Sequence, residues 1–425
     1  MRTENDIMKA DTFSPTRLDY LDATRAFALV LGVVFHASLS FMPIFMGWAV
    51  QDISTGGAVA IFVTISHSFR MELFFLLAGF FGCVTLRRRS VGEFVRGRFV
   101  RIVVPFVVGW FLLRPLLVSG WLMGGASLRG DYEFWPSVVA GFRTLETLPA
   151  GIFTGSHLWF LYYLTLLTGL ALAVRAGVTA LGTSGDALMR GADAMAGWLA
   201  KSPGAILVLA VPTAGALWFM RFWGMDTPDQ SLTPQWPVLA VYVGFFGLGW
   251  LIGRQGKAMM EMSRLSADRW LFAAVGIAGV LWLGGVQSDP GHPNYAAARA
   301  GFALSYAAMM WALVFLTIGI FRRWCAEERP WIRYVADSSY WMYLVHLPIV
   351  VWLQVAIAEV ALHWTVKLGL VTIATVGVAL VTYDLFVRST WLGRVLNGRR
   401  RERAIVSWWG GERNAGNGSG YLRKV

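Results

Sequence analysis

Apolar runs of about twenty residues recur along this chain, and that recurrence limits what it can fold into more than any other feature. A run of that length crosses a bilayer as a helix, because in hydrocarbon the backbone must satisfy its own hydrogen bonds. Ten such runs stand out, at 22–46, 58–84, 102–123, 157–175, 203–222, 237–254, 270–287, 299–321, 338–360 and 365–387. The expected fold is therefore all-α, a polytopic transmembrane bundle of about ten spans. Hydrophobic residues make up 56% of the 425 residues and charged residues 15%, too few charges to keep such a surface in water. An aromatic share of 14% suits belts at the two interfaces.

Net charge is +12, a value that suggests nucleic acid in a soluble protein. Here the basic residues cluster between apolar runs, so they report topology and no nucleic-acid partner is expected. With the N-terminus in the cytosol, the cytosolic segments hold all the Lys and Arg except Arg70, Arg114, Arg129, Arg143, Arg221, Arg299 and Lys367. That bias places both termini in the cytosol of a bacterial inner-membrane protein. The first apolar run follows Arg25 without a signal-peptide cleavage pattern and reads as an uncleaved span. Residues 1–395 read as one membrane domain and 396–425 as a basic cytosolic tail, disordered toward its NAGNGSG end. The longest connection, 124–156, contains Pro136 and Pro149 and reads as a short amphipathic piece or a lid. Two distant cysteines, Cys83 and Cys325, make neither a disulfide framework nor a metal site.

Ionisable groups inside spans are costly and mark function by default. Span one holds Asp22, Arg25 and His36; span two holds His67, Arg70 and Glu72; span four opens at His157; span nine holds His346; span ten ends near Asp384. A rise of about 1.5 Å per residue sets His36 and Arg70 at similar depths outside the midplane, with His67 a turn further out and His346 deeper. These groups are candidates for one shared cavity. His36 reads either as a core histidine bonded to a nearby backbone or Ser partner, or as a general base. Arg70 reads as half of a structural ion pair or as an anion clamp; Glu72, two residues on, does not share its helix face. His67, His157 and His346 each have a structural reading as well, and Asp384 has a snorkelling one. Arg98 and Arg101, three apart at the mouth of span three, share a helix face and suit the phosphates of a nucleotide-like donor, although topology alone also explains a basic cluster. No phosphate-binding loop, dinucleotide glycine pattern, nucleophile elbow or metal-ligand pair appears.

At these residues the chain resembles acyltransferase family 3, and within it the branch of glucan succinyltransferases (biosynthesis protein C type) that decorate osmoregulated periplasmic glucans. The stretches that carry the likeness are YLDATRAFALVLGVVFHASLSF, HSFRMELFFLLAGFF, RFVRIVVPF, HLWFLYYL and DSSYWMYLVHLP, in the family's order over nearly the whole chain. The family's basic-x10-His signature fits Arg25 and His36, which implies that His36 is catalytic, and its Arg-x-x-Arg signature fits Arg98 and Arg101. HSFRM, with Arg70 inside it, is typical of the glucan-modifying branch. No fused periplasmic esterase-like domain is seen, so direct delivery to the final acceptor is expected.

Together these readings assign His36, Arg70 and His346 to catalysis, Arg25, Arg98 and Arg101 to the donor, and His67, Glu72 and His157 to the substrate. The expected donor is acyl-CoA, succinyl-CoA foremost, as a co-substrate and not a resident cofactor. The other partners are membrane lipid, a periplasmic glucan acceptor and a second copy in a homo-oligomer. Three rivals remain open at this point: an O-acetyltransferase of another surface polysaccharide, a transporter or flippase for a sugar conjugate, and a non-catalytic membrane scaffold, against which the cluster of ionisable residues inside the spans speaks most strongly.

Overall fold

The computed structural model describes residues 19–127, 130, 132–147, 156–325, 327 and 329–404. The segments before 19 and after 404, with their basic residues and the tail expected to be disordered, lie outside the described residues, as does part of the 124–156 connection. Every regular element among the described residues is helical. In chain order these are α1 Asp19–Ser38, α2 Gly57–Arg87, α3 Val91–Arg98, α4 Val104–Ser127, α5 Phe134–Arg143, α6 Trp159–Ala180, α7 Thr183–Lys201, α8 Ala205–Leu217, α9 Trp236–Ile252, α10 Ala258–Met262, α11 Ala267–Leu283, α12 Tyr295–Trp324, α13 Pro330–Ile357, α14 Trp364–Thr382 and α15 Trp391–Asn397.

Among the described residues, eight helical segments are long and apolar enough to cross a bilayer, and a ninth forms if α7 and α8 count as one bent span. The fifth and sixth expected spans therefore differ from the sequence reading. The run at 203–222 becomes the 13-residue α8, set at 111° to α7 across a break at Ser202-Pro203-Gly204. Proline lacks the N–H that would continue the ladder from α7, which explains the bend. The run at 237–254 becomes the 17-residue α9. α9 is pressed against α2: a Cβ on Gly79 would strike the Phe246 carbonyl, and one on Gly249 the Leu76 carbonyl. Two glycines facing each other's helix let the backbones approach closely, the usual device where lipid gives no hydrophobic drive to association.

α1 packs among α2, α12, α13 and α14 and is largely buried. Large apolar side chains such as Trp282, Ile373 and Val211 face outward, as a lipid-facing belt requires. The loop from 42 to 56 folds inward instead of standing clear. Its Asp52 (1% exposed) makes an ion pair with Lys367 of α14 (0% exposed), at 2.7 and 2.9 Å, and Lys367 also donates to the Ala358 carbonyl at 3.2 Å. Gly124 of α4 leaves room for the Ala49 carbonyl of the same loop. At the other end of the bundle, α15 and residues 398–404 lie back against α13 and the π-helical turn Tyr383–Arg388. Asn397 donates to the Asp337 carbonyl at 3.0 Å, Arg401 pairs with the Asp337 carboxylate at 3.0 Å, and the Ala404 amide donates to Asp384 at 2.9 Å. Asp384 is fully buried, so it does not snorkel.

Candidate active site

A single cavity of about 1470 Å³ runs the length of the bundle. One end is lined by Arg25, Arg89, Arg98, Arg101 and Asn397, the far end by Trp48, Trp121, Asp229 and Gln287, and His36 lines the wall between them. The volume exceeds an ordinary small-molecule pocket of roughly 300–1,000 Å³, so it has room for two reactants or for one long one.

α1 carries His36 on this wall, and one turn earlier the Arg70 side chain passes Gly32 at van der Waals distance. Arg70 is 5% exposed and lies over the Phe35 ring at 4.1 Å. A desolvated cation over an aromatic face is stabilised by about 2 kcal/mol. That contact leaves Nη1 without a hydrogen-bond partner among the described residues, an unspent donor beside the cavity. The same Phe35 ring stacks on His67 at 5.5 Å, and His67 meets the Thr227 hydroxyl at 3.1 Å.

Three imidazoles follow one another along the wall. His36 and His346 have ring centroids 5.3 Å apart, and His346 and His157 5.6 Å. His346 Nδ1 lies 2.8 Å from the Tyr343 carbonyl and 3.2 Å from that of Met342. A carbonyl accepts only, so Nδ1 carries the proton and Nε2 is left as an acceptor. His157 Nε2 donates to the Leu344 carbonyl at 2.8 Å, and its main-chain carbonyl accepts from the Tyr343 hydroxyl at 2.7 Å. His36 Nδ1 has no partner among the described residues.

Gln354 fixes the surroundings of His36. Its side chain (1% exposed) donates to the carbonyls of His36 and Ala37 at 3.0 Å each and accepts from Trp48 Nε1 at 2.9 Å. Trp48 in turn stacks nearly parallel on the His36 ring, with centroids 5.7 Å apart and planes at 15°. Gly47, with φ +78°, supplies the left-handed turn that aims Trp48 inward.

At the arginine-lined end, Arg98 closes α3 and Arg101 sits in the π-helical turn Phe99–Val103. Widening the turn changes the angular step between them, yet both side chains line the cavity. Arg25 holds Asp22 at 3.4 Å.

Of the nine residues singled out from sequence, eight line the cavity: His36, Arg70, His346, Arg25, Arg98, Arg101, His67 and His157. Glu72 does not. It is fully buried on the other side of α2, and neither carboxylate oxygen has a hydrogen-bond partner among the described residues. Two residues along a helix turn a side chain through about 200°, so Arg70 and Glu72 cannot both face the cavity. Sequence reasoning missed Gln354, Trp48 and Arg114, the last of which also lines the cavity and donates to the Thr144 hydroxyl at 3.1 Å. A signal existed for Gln354, a lone amide in the apolar run VVWLQVAIA. Arg114 was visible as a charge within a span. Nothing local marked Trp48.

No solved structure matches the chain. The proteins named "Glucans biosynthesis protein C" from Salmonella paratyphi B (strain ATCC BAA-1250 / SPB7), Salmonella heidelberg (strain SL476) and Salmonella schwarzengrund (strain CVM19633) are each 28% identical over 155 residues. That alignment spans 36% of this chain and 38% of each relative, well under half of their length. The Acyltransferase domain family matches residues 18–384, a stretch that contains every cavity residue named above except Asn397. The chain is a multi-pass membrane protein that belongs to this family of acyltransferases, acyltransferase family 3.

Proposed function

We propose that the protein transfers a succinyl group from succinyl-CoA in the cytosol to hydroxyls of a periplasmic glucan, with His36 as the general base. The observation that carries this reading is the single cavity, arginine-lined at one end and passing His36 before it reaches the far end. A thioester donor and an alcohol acceptor on opposite sides of a membrane need a passage of this kind, and neither has to cross completely. The distribution of Lys and Arg along the chain supports a cytosolic position for the arginines. The glucan acceptor is supported by the names of the relatives and by the HSFRM stretch around Arg70.

In this reading Arg98 and Arg101, with Arg25 and Arg89 nearby, hold the phosphates of the donor, since guanidinium groups match phosphate oxygens with paired hydrogen bonds. The thioester lies at the level of His36. The acceptor hydroxyl gives its proton to the imidazole as its oxygen attacks the thioester carbonyl carbon. A tetrahedral oxyanion results, and the unpartnered Nη1 of Arg70 is a donor suited to it. When the intermediate collapses, the carbon–sulfur bond breaks and the thiolate recovers the proton from His36. The products are the ester and free thiol, and all protons balance. With a succinyl group, Arg70 is alternatively free to hold the distal carboxylate.

The test is His36→Ala in purified, reconstituted protein with succinyl-CoA and glucan, read as free thiol released and ester formed by mass spectrometry. Loss of a positioned base is expected to cost about 10²- to 10⁴-fold in rate, with folding retained. Near-normal transfer by His36→Ala protein would overturn the assignment. A wild-type protein that moves a sugar conjugate across proteoliposomes without releasing thiol would instead favour transport.

A further inference from the structure

The two ends of the cavity differ in chemistry. Guanidinium groups crowd one end, as a polyanion requires. Past His36 the lining residues include two indoles, Trp48 and Trp121, and also Asp229 and Gln230 from the loop whose Thr227 meets His67. The indoles meet edge to face, with centroids 5.2 Å apart. Carboxylates and amides bond to vicinal hydroxyls, and flat aromatic faces cover the C–H faces of a pyranose ring. A phosphate does not call for a carboxylate, and a lipid acyl chain calls for neither carboxylate nor amide.

Trp48 is also fixed far more firmly than a loop tryptophan needs for packing alone. Gln354 holds its N–H, Gly47 gives its backbone a left-handed turn, Gly124 admits the carbonyl next to it, and the buried Asp52–Lys367 pair anchors the loop behind it. An ion pair with both members sealed from water is a costly way to hold a loop unless its position matters. What this anchoring fixes is an indole lying parallel to the His36 imidazole. A ring bound beside the tryptophans therefore lies close to the base.

We infer that Trp48, Trp121 and Asp229 form a saccharide subsite for the acceptor, which binds a neutral pyranose unit and sets one of its hydroxyls beside His36. The inference rests on the transfer reading above for the role of the sugar. It stands apart from that reading in predicting binding that needs no donor and no turnover. Asp229 contributes as a hydrogen-bond acceptor for two hydroxyls. Burial holds its carboxyl above the usual range, a mark of thin hydration. Trp48 and Trp121 contribute stacking surface.

The experiment is equilibrium binding of a neutral gluco-oligosaccharide to the full-length protein in detergent, by calorimetry, with coenzyme A titrated in parallel. Wild-type protein is expected to bind the oligosaccharide without coenzyme A. Trp121→Ala and Asp229→Asn are each expected to weaken it by at least about tenfold, a change of about 1.4 kcal/mol, with less than a twofold change for coenzyme A. Trp282→Ala, on an indole that is 83% exposed on the outer surface, serves as the control and should bind as wild type. Unaltered oligosaccharide affinity in both subsite variants, or no binding to wild-type protein, overturns the subsite. Equal loss of oligosaccharide and coenzyme A affinity overturns it too, because it indicates a general disturbance of the fold. Oligosaccharide binding that depends on the subsite, in a protein that never releases thiol, would sustain the subsite and sink the transfer reaction.

Discussion

Gln354→Leu removes one side chain that makes three hydrogen bonds, at 3.0, 3.0 and 2.9 Å, to the end of α1 and to Trp48. The change keeps the volume, so no cavity is added to the effect. Side-chain hydrogen bonds in the interior of a membrane protein average about 0.6 kcal/mol each, which makes about 2 kcal/mol for the three. The stability loss is therefore modest. The functional loss is expected to be larger, because the lost contacts fix the relation of the imidazole to the indole above it. A misplacement of about 1 Å at a reacting centre costs about 100-fold. Turnover is expected to fall between ten- and a hundredfold, in kcat, while the donor KM stays within about twofold, because the arginines lie at the other end of the cavity. Gln354→Glu should be at least as poor: it keeps an acceptor for Trp48 but turns a carboxylate toward two carbonyl oxygens. Thiol release in proteoliposomes gives the kinetics and a thermal scan in detergent gives the stability. Wild-type kcat in Gln354→Leu protein with a lowered Tm would refute the reasoning, since it would reduce Gln354 to a structural bond.

Three further outcomes follow from the same geometry. Arg98→Ala with Arg101→Ala should raise the KM for the acyl-CoA donor at least about tenfold and leave the acceptor KM near wild type, measured by varying each substrate in turn. Lys367→Met should destabilise the protein by about 3–5 kcal/mol by leaving Asp52 buried and unpaired, whereas Asp52→Asn combined with Lys367→Met should recover most of that loss; simple additivity in the unfolding measurements would deny the pair. Gly249→Ala puts a methyl group into the Leu76 carbonyl and should cost about 1–3 kcal/mol and lower the folded yield, while Gly247→Ala, which meets nothing within 4 Å, should be silent in the same thermal scan.

Much of this molecule was legible from sequence because lipid imposes so few solutions. Runs of apolar residues fixed eight long helices near the expected places, and ionisable residues inside those runs or at their mouths pointed to eight cavity residues. What stayed hidden depends on three-dimensional approach. The break at Ser202-Pro203-Gly204 shortens a span that hydropathy alone counts as whole. Arg70 and Glu72 look equivalent by composition, and only the turn of the helix separates the one that lines the cavity from the one that is packed away. Lys367 entered the sequence argument only as a count in topology; its role emerges when a loop more than three hundred residues away brings Asp52 to it. Trp48 shows the same limit, since the residue that holds it, Gln354, lies 306 positions along the chain.

Proximity of His36 to His346 makes one last distinction testable. The two rings are 5.3 Å apart, and the backbone fixes His346 with its proton on Nδ1, which leaves Nε2 as an acceptor. A base that takes up a proton becomes a cation with two N–H donors, and a neighbouring acceptor stabilises it, as the buried carboxylate does in a serine-protease triad. In that role His346 would be a positioning residue, and His36 the group that meets the substrate. The two roles predict different responses. His36→Gln should be nearly as inactive as His36→Ala, because an amide cannot act as a base. His346→Gln keeps an acceptor near the Nε2 position and should retain a substantial part of the activity that His346→Leu loses, with the acid limb of the pH–rate profile shifted, because the basicity of His36 depends on what stabilises its protonated form. Equal activity in His346→Gln and His346→Leu, each with an unmoved pH profile, would leave His346 as packing and His36 to act alone.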